Sequence, residues 1–194
     1  MHAAIEFIQE RRSAFVEELK GFLRIPSVST KSEHKADMLK AAQWLVEQMR
    51  GMGLEHVEIL PTAGHPVVYA DWLPAAGKPT VLIYGHYDVQ PAEPLELWTT
   101  GPFDPTVRNG ELYARGAVDD KGQVFMHLKA LEAHLKTTGR LPVNVRLLIE
   151  GEEEIGSPSL DAFIAKQKAM LQADVVVISD TSMIAKDAPG ITVG

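Results

Sequence analysis

Apolar positions in the first quarter of the chain recur at helical spacing. Ile5, Ile8, Phe15, Leu19 and Phe22 lie three, four or seven residues apart, which predicts a helix from about Ala3 to Leu23 with that stripe facing inward. Pro26 ends it, and Ser27 to Ser32 reads as a polar loop. Met38, Ala42, Leu45, Met49 and Met52 then mark a second helix, capped around Gly51 and Gly53. The Gly51-Met52-Gly53 triplet is no phosphate loop, because it follows a helix and lacks a third glycine.

The period then changes. Three strands are predicted: His56 to Leu60, Val67 to Leu73 and Thr80 to His86. The third is almost continuously apolar, as expected of a strand covered on both faces. Asn109-Gly110 between two short extended runs reads as a hairpin turn. Val124, Leu128, Leu131 and Leu135 give a third helix from about Lys121 to Thr137, with Gly139 just beyond it. A strand follows from Val143 to Ile149. Ser157 or Ser159 then opens a helix with Leu160, Ile164 and Leu171 facing inward. Asp174 to Ser179 is strand-like, and Ile191 to Gly194 begins another. Strands alternating with helices predict an α/β sheet with substantial parallel pairing. The chain stops in an apolar, β-like run, which reads as a cut inside a longer protein.

Composition narrows the function. The 194 residues suffice for one sizeable domain or two small ones, and the apolar content of 45% is ordinary for a globular protein. A net charge of −7 argues against nucleic acid or an anionic membrane as partner. With no cysteine, disulfides, thiolate zinc sites and cysteine nucleophiles are excluded. Glu6 and Glu10 interrupt any secretory leader, and no apolar run reaches membrane-spanning length. A soluble, cytoplasmic protein is the expectation.

The candidate chemistry sits just past strands. His86 and Asp88 follow the third strand, Glu152-Glu153-Glu154 follow the Val143 strand, and Asp180 follows the Val175 strand. Asp119-Asp120 precede the third helix. Parallel α/β sheets bind ligands beyond the carboxyl ends of their strands, so these residues converge if the strands run parallel. Imidazole and carboxylates without sulfur suit zinc, manganese or cobalt. Clustered carboxylates can bridge two ions about 3.5–4 Å apart. His86 and Asp88 share one face of an extended segment, so Asp88 can accept the second imidazole N–H. Taken singly, each residue has a blander role: Asp119-Asp120 as a helix cap, the three glutamates as a solvated loop, Asp180 as a turn cap. The coincidence carries the metal reading. His34, His56, His65, His127 and His134 read as loop or helix-surface residues.

The stretches GHYDVQPA, NGELYARGAVDDKG, EGEEEIGS and ISD, with Trp98 and Pro102-Phe103 between the first two, closely resemble the di-metal carnosinase-like dipeptidases. These are relatives of aminoacylase, acetylornithine deacetylase, succinyl-diaminopimelate desuccinylase and glutamate carboxypeptidase. The resemblance implies a three-layer sandwich, with a mostly parallel mixed sheet flanked by helices. It implies two divalent ions, zinc foremost, with manganese or cobalt as substitutes. His86 and Asp180 would bind one ion, Asp119 would bridge both, and Glu154 would bind the other. Glu153 would be the general base and Asp88 would orient His86, leaving Glu152 outside the site. A cis peptide after Asp119 is also implied. The residues would form the N-terminal portion of a catalytic domain. A lid that carries the dimer contact, and a return segment with a further metal-binding histidine, would lie elsewhere. The fragment alone would then hold one ion better than the other and have little activity.

The implied reaction is hydrolysis of a dipeptide or short peptide. An N-acyl-amino-acid deacylase would use the same metals, and a non-catalytic binding or assembly module is the alternative from another class. No Gly-x-Ser-x-Gly elbow supports serine hydrolysis.

Overall fold

A computed structural model describes residues 2–185, 188 and 190. The elements are α1 (His2–Leu23), α2 (Lys35–Met52), β1 (Glu55–Leu60), β2 (Val67–Trp72), β3 (Thr80–His86), β4 (Thr106–Arg108), β5 (Glu111–Tyr113), α3 (Lys121–Thr138), β6 (Asn144–Glu150), α4 (Leu160–Lys166) and β7 (Val175–Ile178). The strand expected to begin at Ile191 lies outside the described residues.

Five strands form one mixed sheet in the order β1-β2-β6-β3-β7. β3 pairs in parallel with both β6 and β7, whereas β1-β2 and β2-β6 are antiparallel. The register places His86 opposite Glu150 and Tyr84 opposite Ile178. The carboxyl ends of β6, β3 and β7 therefore share one rim, and the loops leaving them start side by side. β4 and β5 form a separate hairpin. Its Asn109 and Gly110 both have positive φ, 53° and 81°, the two-residue turn that suits such a hairpin.

Two apolar layers sandwich the sheet. On one face, Phe22 of α1, the Met38, Leu45 and Met49 stripe of α2, and Val124 and Leu128 of α3 pack on Val68, Ala70, Ile83, Leu147 and Ile149. On the other, Phe163 and Leu171 cover Val67, Tyr69, Leu82 and Leu148. The alternation of Leu147 and Leu148 between layers explains the apolar Leu147-Leu148-Ile149 run of β6.

Two expectations need correction. Ile5 and Ile8 are 47% and 37% exposed, so only the second half of α1 buries its stripe. Ile164 is exposed and Phe163 fills the core instead. Val175 and Val176 of β7 are half or more exposed, because β7 forms the edge of the described sheet. No described helix is long and apolar enough to cross a membrane.

Candidate metal centre

His86 ends β3 with its ring fully buried. Its Nδ1 bonds the backbone oxygen of Asp88 at 3.0 Å, closer than the Asp88 carboxylate Oδ1 at 3.3 Å. That contact commits Nδ1 as the donor and turns Nε2 outward from the strand. Nε2 has no hydrogen-bond partner. It faces Asp119 Oδ1 at 3.3 Å, Asp180 Oδ2 at 3.5 Å and Glu153 Oε2 at 3.9 Å.

Three carboxylates around one buried, unbonded nitrogen call for a positive charge. A divalent ion fits: with metal–ligand bonds of about 2.0–2.2 Å, tetrahedral ligand atoms stand about 3.3–3.6 Å apart. The His86, Asp119 and Asp180 ligand atoms all lie within 4.8 Å of one another. A proton would be the alternative charge. Burial works against it, but the Asp88 contact and the Asp120 and Asp180 charges outweigh burial and push the imidazole up to about 10.

Two glycines make room for this geometry. A Cβ on Gly85 would lie 2.6 Å from both Asp120 Oδ2 and Val124 Cγ2. A Cβ on Gly122 would lie 2.0 Å from the Ala117 backbone oxygen. These glycines let the loop carrying Asp119 fold between β3 and the first turn of α3. The Asp119-Asp120 peptide is cis. Asp120 holds the N-cap position of α3 but does not cap it. Its Oδ2 accepts the His86 backbone N–H at 3.1 Å, so it ties the loop that carries Asp119 to the end of β3. Burial, followed by neighbouring acids, raises its carboxyl to about 7. Lys121 is fully buried, donates to the Phe22 and Ile25 carbonyls at 3.2 and 2.7 Å, and is lowered by burial to about 7.

The glutamates after β6 divide their labour. Glu150 is buried and accepts Tyr84 Oη at 2.5 Å and Ser157 Oγ at 2.8 Å. Glu152 is buried and accepts the backbone N–H groups of His65 and Ser159 at 3.0 and 3.2 Å. Both brace the loop from inside. Glu153 and Glu154 lie on its solvent side, in a short 3-10 turn. Burial raises the carboxyls of both, with nearby acids adding to it. Among the described residues, Glu154 belongs to neither group of candidate metal-holding residues, and each of its oxygens accepts one donor from Gln90. Asp88 Oδ2 accepts the Glu154 backbone N–H at 3.1 Å.

The structure therefore brings His86, Asp119 and Asp180 together, with Glu153 just outside them and Asp88 beneath the imidazole. Glu154 stands apart. Sequence reasoning passed over Glu150, Gln90 and His127, whose Nε2 meets Ser179 Oγ at 2.6 Å beside Asp180. Glu150 was the legible one, being the acid that closes an apolar strand. A second group, Glu55, His56 and Asp71, lies at the β1 edge, where a 2.8 Å His56–Asp71 ion pair and a Tyr69 hydroxyl on Asp71 account for it.

Comparison with known proteins identifies the family. The profile of peptidase family M20/M25/M40 matches residues 82–194. The "Cys-Gly metallodipeptidase DUG1" of Candida albicans is 37% identical over 96% of this chain and 42% of its own length. Human "Beta-Ala-His dipeptidase" is 31% identical over 100% of this chain and 41% of its own. The crystal structure of human carnosine dipeptidase 1 superimposes with a TM-score of 0.88 at 31% identity, covering 95% of this chain and 42% of that one. The chain thus spans about two fifths of the length of these relatives. Both the match, which begins inside β3 and runs over every proposed ligand, and the superposition place this chain in peptidase family M20/M25/M40.

Proposed function

We propose that the protein is a metal-dependent dipeptidase in which His86, Asp119 and Asp180 hold one divalent ion, and Asp119 and Glu154 contribute to a second. The observation that carries the reading is the buried, unbonded Nε2 of His86 facing three carboxylates. The first site, with one nitrogen and two oxygen donors, suits zinc, and manganese or cobalt can replace it. When bound, such ions lower the pKa of a coordinated water and polarise the scissile carbonyl.

The chain's own groups do the rest. Glu153 is 3.9 Å from Nε2, farther than Asp119 and Asp180, which leaves it free to take a proton from the attacking water. Its carboxyl is raised by burial first, toward the neutral range in which a proton acceptor and donor works best. Glu153 then returns the proton to the leaving amine. Asp88 fixes the position of His86 from the buried side. Dipeptides are favoured over N-acyl amino acids because two of the relatives are named for Cys-Gly and β-Ala-His. Action in the cytoplasm, and pairing of two copies through segments the relatives have beyond this stretch, belong to the same reading.

The test is turnover of Cys-Gly and β-Ala-His against N-acetyl amino acids, with zinc, manganese or cobalt added. Metal-dependent cleavage of a dipeptide, lost in Asp119→Ala, is expected. Exclusive cleavage of N-acetyl amino acids would favour the deacylase. Metal binding by wild type that Asp119→Ala leaves intact would reject the site. The 194-residue chain alone is expected to bind one equivalent more tightly than the next and to turn over slowly.

A further inference from the structure

Both side-chain oxygens of Glu154 are engaged, and by a single residue. The Gln90 backbone N–H donates to Oε1 at 3.0 Å, and Gln90 Nε2 donates to Oε2 at 2.7 Å. The same Nε2 reaches the Glu154 backbone oxygen at 3.1 Å. Gln90 is exposed, and an exposed glutamine is as well satisfied by water as by protein, so three contacts to one partner are not explained by burial.

The electrostatics supply a reason. Asp119 and Asp88 are like charges close to Glu154, so its carboxylate gains from donors that hold it in one place. The Gln90 donors do so without adding a competing positive charge. Asp88 completes the grip through the Glu154 backbone N–H. Residues 88–90 therefore fix Glu154 at both its main chain and its carboxylate. Each carboxylate oxygen carries two lone pairs, so one donor per oxygen leaves the other free for a cation.

We propose that Gln90 is a positioning residue that holds the Glu154 carboxylate ready for the second metal ion. The inference rests on the reading of Glu154 as a ligand given above. Partners that orient ligating carboxylates typically change metal affinity about 10–100-fold when removed.

Gln90→Met keeps the length of the side chain and removes its donor. Equilibrium dialysis of the 194-residue chain against cobalt, taken to high concentration, separates the first binding step from the second. Gln90→Met is expected to weaken the second step about 10-fold while leaving the first step and Tm unchanged. An unchanged second step overturns the proposal, and so does equal weakening of both steps, which would mean general loosening of the loop. Glu154→Gln separates the two ideas. If it abolishes the second step but Gln90→Met does not touch it, Glu154 is a ligand and Gln90 does not position it. If wild type has no second step, or Glu154→Gln leaves it intact, the ligand reading of Glu154 falls and the role of Gln90 with it.

Discussion

Asp88 joins His86 to Glu154: its Oδ1 lies 3.3 Å from the His86 Nδ1 and its Oδ2 accepts the Glu154 backbone N–H at 3.1 Å. One fully buried carboxylate thus spans the end of β3 and the loop after β6. Replacing it by asparagine keeps the shape but removes the negative charge that lies beside the His86 ring and the Glu154 N–H. Asp88→Asn should weaken metal binding about 10–100-fold, as loss of such ligand-orienting groups does. Isothermal titration with zinc reads this directly. Affinity equal to wild type would mean that the His86–Asp88 backbone contact suffices.

Gly122 is fixed by a different constraint. Its added methyl would sit 2.0 Å from the Ala117 backbone oxygen, and backbone cannot rotate away as a side-chain tip can. The loop 116–120 would shift and carry Asp119 with it. Gly122→Ala should cost about 1–3 kcal/mol of stability, the usual penalty of overpacking, and should lose metal binding as well. Thermal melts with and without zinc test both effects. A variant that is stabilised by zinc as much as wild type would show that Asp119 tolerates the shift.

Much of this was legible in the chain, and the unread parts share a physical cause. The apolar runs identified β3, β6 and β7 because burial on a sheet needs contiguous apolar residues. The position of His86, Glu153 and Asp180 just past those runs then located the rim. Periodicity says which face of an element is apolar, but not whether a partner covers it. For that reason the Ile5 and Ile8 end of the α1 stripe, expected to face inward, is exposed. Polar residues whose work is internal leave still less trace. Glu150 and Glu152 look like members of a solvated acidic run, yet both are buried braces whose partners, Tyr84 and His65, come from distant strands and loops. Asp120 read as a helix cap, but its side chain turns to the His86 backbone.

Glu153→Gln separates chemistry from binding. Its carboxylate is beyond the distances that His86 Nε2 keeps to Asp119 and Asp180, so the amide should leave metal content unchanged. Loss of a general base costs typically about 10²–10⁴-fold in rate. The expected result is that kcat for dipeptide cleavage falls by this range while zinc stoichiometry holds. A variant that loses zinc instead would identify Glu153 as a ligand.

Asp120 supplies a pH signature in the metal-free chain. Its carboxyl, 1% exposed, is raised by burial from 3.8 to about 7 in the folded protein. A folded-state value above the unfolded one means that folding favours the protonated form. The associated stability is fully present below pH 3.8 and is lost as pH rises through about 7. Asparagine has no proton to lose and can still accept the His86 N–H. The difference in Tm between Asp120→Asn and wild type, measured in a chelator, should therefore drift in favour of the variant between about pH 4 and pH 7 and level off above that. Comparing the two proteins cancels titrating groups that do not feel Asp120, Lys121 among them, and His86, which does feel it, is raised to about 10, above this range. A Tm difference that is flat across this range would place Asp120 in its ordinary ionised state and would move the unpaired burden of the site onto Asp119 and Asp180.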